Sequence, residues 1–432
     1  MAAYEIVERD EAGSLTTTYI VSGGGRIDVM KPEQRKSYAQ LVLDVFLPAG
    51  YPQSVSEDYI RYGYGLGVLV PDLKLTPNVA VKGVGVGDSS ASPTAALLLS
   101  VLQESMGRIA TILFAHRLGT ALEPECKMYR LAADVFNDTA MILDCLSPGF
   151  PKPLRVLILG FSSVLRSLCG VCAGSAKASL SAHFAKKGNL GELNAAGSVV
   201  VSWVSSPIAT WSVLTALLSI HLATNYAAVR SVSMRYLNRQ RANIVFGSLF
   251  HNGLVPSPAE AAQRERIFER DGVLRWVDGT IVGHCTLGVP LQVLLSRMSH
   301  DGKRTASSSL QVIDLTDLVR LFAGQRYMLW FSNHEATVVL KEGCTPLDQL
   351  KAWAHALLVA QEQRDDGPPH QLKDDASLKL GRLDTIKRTL EEVDQVFVKY
   401  TGLLEQSGWD VNTAALETRG GARSQVDGSG GS

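Results

Sequence analysis

Hydrophobic positions along the chain fall into three stretches of different period. Near the start, Tyr4–Val7 and Thr17–Val21 are β-prone and Gly23-Gly24-Gly25 offers a turn, so residues 1–31 predict a short β-hairpin. From about 92 to 245 the pattern is helical and strongly apolar. Ser92-Pro93 supplies an N-cap and a proline at the first helical position, ahead of TAALLLSVLQESMGRIATILFAH. Two more helices are predicted over roughly 124–146 and 154–186. Residues 246–300 are mixed and give no clear period. Gly302–Ser309 (GKRTASSS) reads as a linker. Beyond it, Gln325–Ser332 and Ala336–Lys341 are strand-like runs joined at Asn333-His334-Glu335. Thr345-Pro346 then caps a helix over Leu347–Ala360. Asp365–Asp375 is polar and loop-like. Thr385–Gln406 carries Leu390, Val393, Phe397, Tyr400 and Leu404 at helical spacing.

The most informative segment is Leu193–Val229, which contains no Asp, Glu, Lys or Arg. As one straight helix its roughly 37 residues would measure about 55 Å, nearly twice the ~30 Å hydrocarbon core of a bilayer. Ser205-Ser206-Pro207 breaks it. Pro207–Val229 is then long enough to span, and Leu193–Ser206 is short enough to be re-entrant or interfacial. Length and lack of charge favour lipid; the alternative is a core helix of a large soluble bundle. Basic residues flank the run on both sides, Lys186 and Lys187 before it and Arg230, Arg235, Arg239 and Arg241 after it. That pattern suits a hairpin returning to one face.

Composition narrows the class. The 432 residues suggest about two or three domains. Lys+Arg 42 balances Asp+Glu 42, which excludes nucleic acid as the main partner. A hydrophobic content of 46% excludes disorder as the dominant state. Six dispersed cysteines exclude a disulfide scaffold. Cys169 and Cys172 form one CxxC with no second metal-spaced set, so packed small residues are favoured over zinc. The acidic N-terminus resembles neither a secretory signal nor a transit peptide.

Four constellations are candidates for chemistry. Lys82, Gly83, Gly85, Gly87 and Asp88 precede a helix and form a possible anion loop, although they match neither a Walker motif nor a dinucleotide fingerprint. Arg130, Asp134, Asn137 and Asp138 interrupt an apolar helix at i, i+4, i+7 and i+8. In a bundle or bilayer they must pair or line a polar cavity, where they can hold a cation, a proton or a ligand amine; a structural network is the alternative. Glu104 and Arg108 form a similar pair one helix earlier. His221 and Asn225 lie one turn apart at the end of the uncharged run, as an interfacial belt or facing the acidic cluster. Gly170, Gly174 and Ala178, four apart, predict a close helix-packing stripe. No HExxH, GxSxG or Walker motif is present, so no catalytic residue can be assigned, no metal ligands are expected, and no enzyme is predicted.

FLPAGYPQSVSEDY (46–59), KGVGVGDSSASPTA (82–95), CKMYRLAADVFNDTAM (126–141) and HLATNYAAVRSVSM–LN (221–238) together resemble the root UVB sensitive family. The likeness continues more loosely through LKEGCTPLDQLKAWAHALL. It implies a eukaryotic, membrane-associated protein. It also implies a link to vitamin B6 homeostasis and UV-B protection, partnership with paralogues, and no established catalytic activity. Two departures stand out. Residues 62–81 read as strand and loop where the family carries a helix, and a polar block is missing near Ala195. Together these readings predict a mainly α protein: a helical membrane-associated bundle with a small N-terminal β element and a C-terminal α+β domain. The expected divisions are 1–45 (β extension), 46–245 (helical core), 246–309 (connector), 310–416 (α+β domain) and 417–432 (disordered tail or linker). The expected ligand is pyridoxal phosphate or a related vitamer. The expected partners are a membrane and a paralogue or a second copy of the chain, and the expected location is a membrane.

Overall fold

A computed structural model describes residues 4–10, 13, 15–21, 27–31, 93–184, 207–298, 312–365, 375–417 and 421–428. The chain divides into two compact units, one of Tyr38–Val232 and one of Met1–Ser37 with Ser233–Ser432.

The described part of the first unit is helical. Helix α1 (Pro93–Leu122), α2 (Cys126–Leu146), α3 (Lys152–Phe184) and α4 (Pro207–Ser231) occupy the stretches where the helical period predicted them. A short 3-10 turn, Ser147–Gly149, links α2 to α3, and Arg155 braces it by donating to the carbonyls of Ser147, Pro148 and Phe150. The core is small: Ala121, Leu122, Tyr129, Ala133 and Cys172, with Cys169 packed against it. All six cysteines are free, and Cys172 serves as a small buried residue.

The close approach of helices occurs where the sequence did not place it. A Cβ on Gly107 of α1 would meet the Ser167 hydroxyl of α3, and one on Gly160 would touch Met106. By contrast Gly170, Gly174 and Ala178 lie on the exposed side of α3, and a Cβ on either glycine would meet nothing within 4 Å. Among the described residues, the stripe expected to pack helices meets no neighbouring helix at Gly170 or Gly174. Small residues permit close approach but do not create the opposing surface.

Among the described residues, Pro153–Leu180 within α3 is long and apolar enough to cross a membrane by length and composition. One such helix establishes a helical unit, not a bundle of spans. The expected span at Pro207–Val229 is helical, as α4, while Leu193–Ser206 lies outside the described residues.

The second unit is built on one eight-stranded sheet. Its strands are β1 (Tyr4–Arg9), β2 (Leu15–Val21), β3 (Ile27–Met30), β4 (Val273–Arg275), β5 (Ile281–Leu287), β6 (Tyr327–Ser332), β7 (Glu335–Lys341) and β8 (Arg423–Gly428). The order is β3-β2-β1-β8-β7-β5-β4, with β6 on the other edge of β7. Helices α5 (Arg239–Asn252), α6 (Pro258–Arg264), α7 (Leu291–Met298), α8 (Val312–Leu321), α9 (Pro346–Asp365) and α10 (Asp375–Gln406) complete it.

Local chemistry explains these elements. Asn333 and His334 both take positive φ, the two-residue turn whose twist suits a hairpin. The Thr345 hydroxyl accepts from the Asp348 N–H, and the Asp348 carboxylate accepts from the Thr345 N–H, so α9 opens with a reciprocal cap. Every residue of β6 is buried, as is the central run of β7, which makes these strands the middle of a core rather than a half-wet face. Gly283 of β5 lies so near the His334 carbonyl that a Cβ would sit 2.8 Å from it.

Two expected divisions need revision. The N-terminal hairpin is not a separate extension; β1 pairs along its length with β8 and so belongs to the second unit. Between β1 and β2 the Gly13 N–H donates to the Asp10 carbonyl at 2.9 Å, while Gly23-Gly24-Gly25 falls between β2 and β3, outside the described residues. The tail expected to be disordered contains β8, held between β1 and β7. Arg239 and Arg241, expected as flanking charges of a span, are buried in the second unit.

Candidate functional site

The polar residues that interrupt α2 meet α4 in the helical unit. Arg130 and Asp134, one turn apart, form an ion pair at 2.6 Å. The Asp134 side chain is only 8% exposed, and its Oδ2 has no hydrogen-bond partner among the described residues. One turn further, Asp138 is 6% exposed and lies 3.2 Å from Nδ1 of His221 on α4. The Asn225 amide lies 2.9 Å from Nε2 of the same ring. An amide nitrogen can only donate, so Nε2 accepts, Nδ1 carries the proton, and that proton is donated to Asp138. The imidazole is thereby held at both ends. The α2 helix thus presents two carboxylates one turn apart, Asp138 paired through Oδ2 with His221 and Asp134 with a buried Oδ2 that lacks a partner among the described residues.

The spacing anticipated part of this. Asp134, Asp138, His221 and Asn225 come together. Asn137 does not join them; its amide turns along α2 toward the Met141 sulfur at 3.6 Å. Glu104 and Arg108 form an exposed pair within α1 rather than completing the network. Lys82, Gly83, Gly85, Gly87 and Asp88 lie outside the described residues. Among the described residues no cluster of three His, Cys, Asp or Glu side chains can hold a metal ion. What the cluster offers a ligand is the Asp134 oxygen that lacks a donor, beside the ring of His221 and the amide of Asn225. A buried carboxylate oxygen without a donor is costly, and an N–H or a cation would satisfy it.

The same residues fall within a recognised domain. The model of the vitamin B6 photo-protection and homoeostasis domain matches residues 32–253, and that of the root UVB sensitive protein C-terminal region matches 254–419. The chain belongs to the root UVB sensitive family. A Dictyostelium discoideum protein named RUS family member 1 is 33% identical over 61% of this chain and 55% of its own length. This chain thus spans little more than half of that relative. Protein root UVB sensitive 3 of Arabidopsis thaliana is 28% identical over 80% of this chain and 81% of its own length. Protein root UVB sensitive 6 of the same plant is 25% identical over 86% of this chain. No solved structure matches the chain. The boundary between the two family regions, near residue 253, does not coincide with the compact units. Helix α5 ends the vitamin B6 domain in sequence but packs into the sheet-based unit.

Sequence reasoning missed the polar side chains buried in that second unit: Arg239, Arg241, Glu265 and His355. Arg239 donates to the Leu416 carbonyl at 2.8 Å and pairs with Asp271. The available signal was the strong N-cap at Asn238, whose side chain accepts from the Arg241 N–H at 2.9 Å and begins a helix at a point where a span was expected to have ended.

Proposed function

We propose that this root UVB sensitive family member acts in vitamin B6 homeostasis by binding a B6 vitamer at the α2–α4 cluster. The observation that carries this reading is the buried Asp134 Oδ2 without a partner. A protonated pyridine ring offers a directional N–H that such an oxygen accepts, while the second Asp138 oxygen and the Asn225 amide oxygen, held in place through His221, offer acceptors for ring hydroxyls. Pyridoxine is the apt probe, because it lacks the aldehyde that attaches nonspecifically to lysines. Titrated into the purified full chain, pyridoxine is expected to bind, and Asp134→Asn to weaken it by about tenfold or more. Equal, negligible binding to the parent chain, Asp134→Asn and Asp138→Asn would remove the reading.

The same proposal places the helical unit at a membrane. Leu157 is 67% exposed, Ile220 62%, Leu217 56% and Phe161 55%, an apolar exterior that lipid tails would cover. Alkaline carbonate extraction is expected to leave the chain in the membrane pellet. Release into the supernatant would instead favour a soluble helical bundle; the second reading is a membrane scaffold that the same helices anchor and that acts through a paralogue.

A further inference from the structure

The sheet-based unit carries a cleft of about 570 Å³, within the size range of small-molecule pockets. Three segments wall it: Ala323–Arg326 after α8, Lys341–Gly343 at the end of β7, and Ser424–Val426 of β8. The topology explains the opening. Strand β5 pairs with β7 only as far as Val338, and β8 takes over that edge at Leu340 and Lys341. There β7 ends while β8 runs on to Gly428 beside β1, leaving space along its free edge.

The cleft gathers positive charge. In the β6–β7 register Tyr327 faces Leu340, so Arg326 and Lys341 are the next opposed pair, and the Lys341 N–H donates to the Arg326 carbonyl at 2.8 Å. Like charges directly opposed across strands are unfavourable. Among the described residues neither makes an ion pair. Arg326 reaches only the Glu342 carbonyl, at 3.4 Å. Lys341, half-buried, donates one of its three N–H groups to the Phe322 carbonyl at 2.6 Å. Burial, with Arg326 alongside, pushes its ammonium down to about 8. Ser424, which lines the same cleft, is fully buried, and its hydroxyl has no hydrogen-bond partner among the described residues. The Glu342 carboxylate lies at the exposed rim.

We propose that this cleft binds a phosphate monoester of a small organic molecule, with the dianionic phosphate held between the Arg326 guanidinium and the Lys341 ammonium. Two adjacent cations that form no ion pair among the described residues match a dianion. The guanidinium fork suits phosphate oxygens, and the ammonium acts as a point charge. The cleft is far larger than a bare phosphate and leaves room for an attached ring or headgroup. This assignment concerns the sheet-based unit and stands without the vitamer site.

The test is calorimetric titration of the full chain with phenyl phosphate. Saturable binding that inorganic phosphate displaces is expected, with no binding of phenol. Arg326 is exposed and makes one weak bond, so Arg326→Gln should fold with an unchanged melting midpoint and bind about tenfold or more weakly. Lys341→Met should weaken binding similarly. Competition by short-chain phosphatidic acid as strong as that by phenyl phosphate would assign the monoester to a lipid headgroup; weak competition would assign it to a soluble molecule. No binding at millimolar phenyl phosphate, or equal binding by the parent chain and Arg326→Gln, would overturn the proposal.

Discussion

Replacing Arg241 by Met is expected to destabilise the sheet-based unit by about 3–5 kcal/mol. The Arg241 side chain is 1% exposed, and its guanidinium lies over the Tyr236 ring and donates to Glu265 Oε1 at 3.0 Å. Glu265 closes α6 and is itself buried. Removing the arginine alone leaves a carboxylate sealed from water with its counter-ion gone. Most of the loss comes from that stranded charge rather than from the attraction removed. The companion expectation follows from the same physics. Arg241→Met combined with Glu265→Leu should recover most of the lost stability, because both charges leave together. Urea unfolding followed by tryptophan fluorescence reads this unit well, since Trp276, Trp330, Trp353 and Trp409 all belong to it. A single-variant loss below about 1 kcal/mol, the range of a solvated surface pair, would show that the pair is not sealed.

That arginine also shows where the sequence was silent. Arg239 and Arg241 follow an uncharged run, and in one dimension they resemble the basic flank of a span. Only the sheet of the second unit, assembled from segments at both ends of the chain, decides that they are buried. Strand β8 was hidden for a related reason. RSQVDG has no apolar alternation and sits in a Gly/Ser-rich tail, and its order comes from ladders to β1 and β7. Nonlocal pairing leaves little local signature. The helical unit was more legible because its signal is local. Three- and four-residue spacing puts Asp134 and Asp138 on one face whatever surrounds them. What spacing left open was whether His221 and Asn225 faced that pair or the interface. It also did not tell that Asn137 would turn along its own helix, or that the glycine stripe on α3 would face outward.

Acid is expected to weaken the sheet-based unit from about pH 6.5 downward, and His355 is expected to be a main cause. The ring is fully buried where β6, α9 and α10 meet. Its Nε2 faces the Ile386 carbonyl at 3.1 Å and the Thr389 hydroxyl at 3.0 Å, and its Nδ1 faces the Tyr327 hydroxyl at 3.1 Å. A carbonyl only accepts, so Nε2 carries the proton and Nδ1 accepts from Tyr327. A second proton on Nδ1 would oppose the Tyr327 hydrogen and place a charge in an apolar core. Burial accordingly pushes the imidazole down to about 3. In the unfolded chain the same ring titrates near 6.5. Between those values the unfolded state binds more protons, so stability falls as pH falls through the window and is fully present above it. At about 1.4 kcal/mol for each pH unit between the two values, the loss reaches on the order of 4 kcal/mol by pH 3. His355→Leu should be less stable than the parent at pH 7.5, since Tyr327 loses its acceptor, yet its stability should change much less between pH 7 and 4. Denaturant midpoints measured across that range in both proteins decide the matter. Parallel pH profiles would show that this histidine is not the group that senses acid.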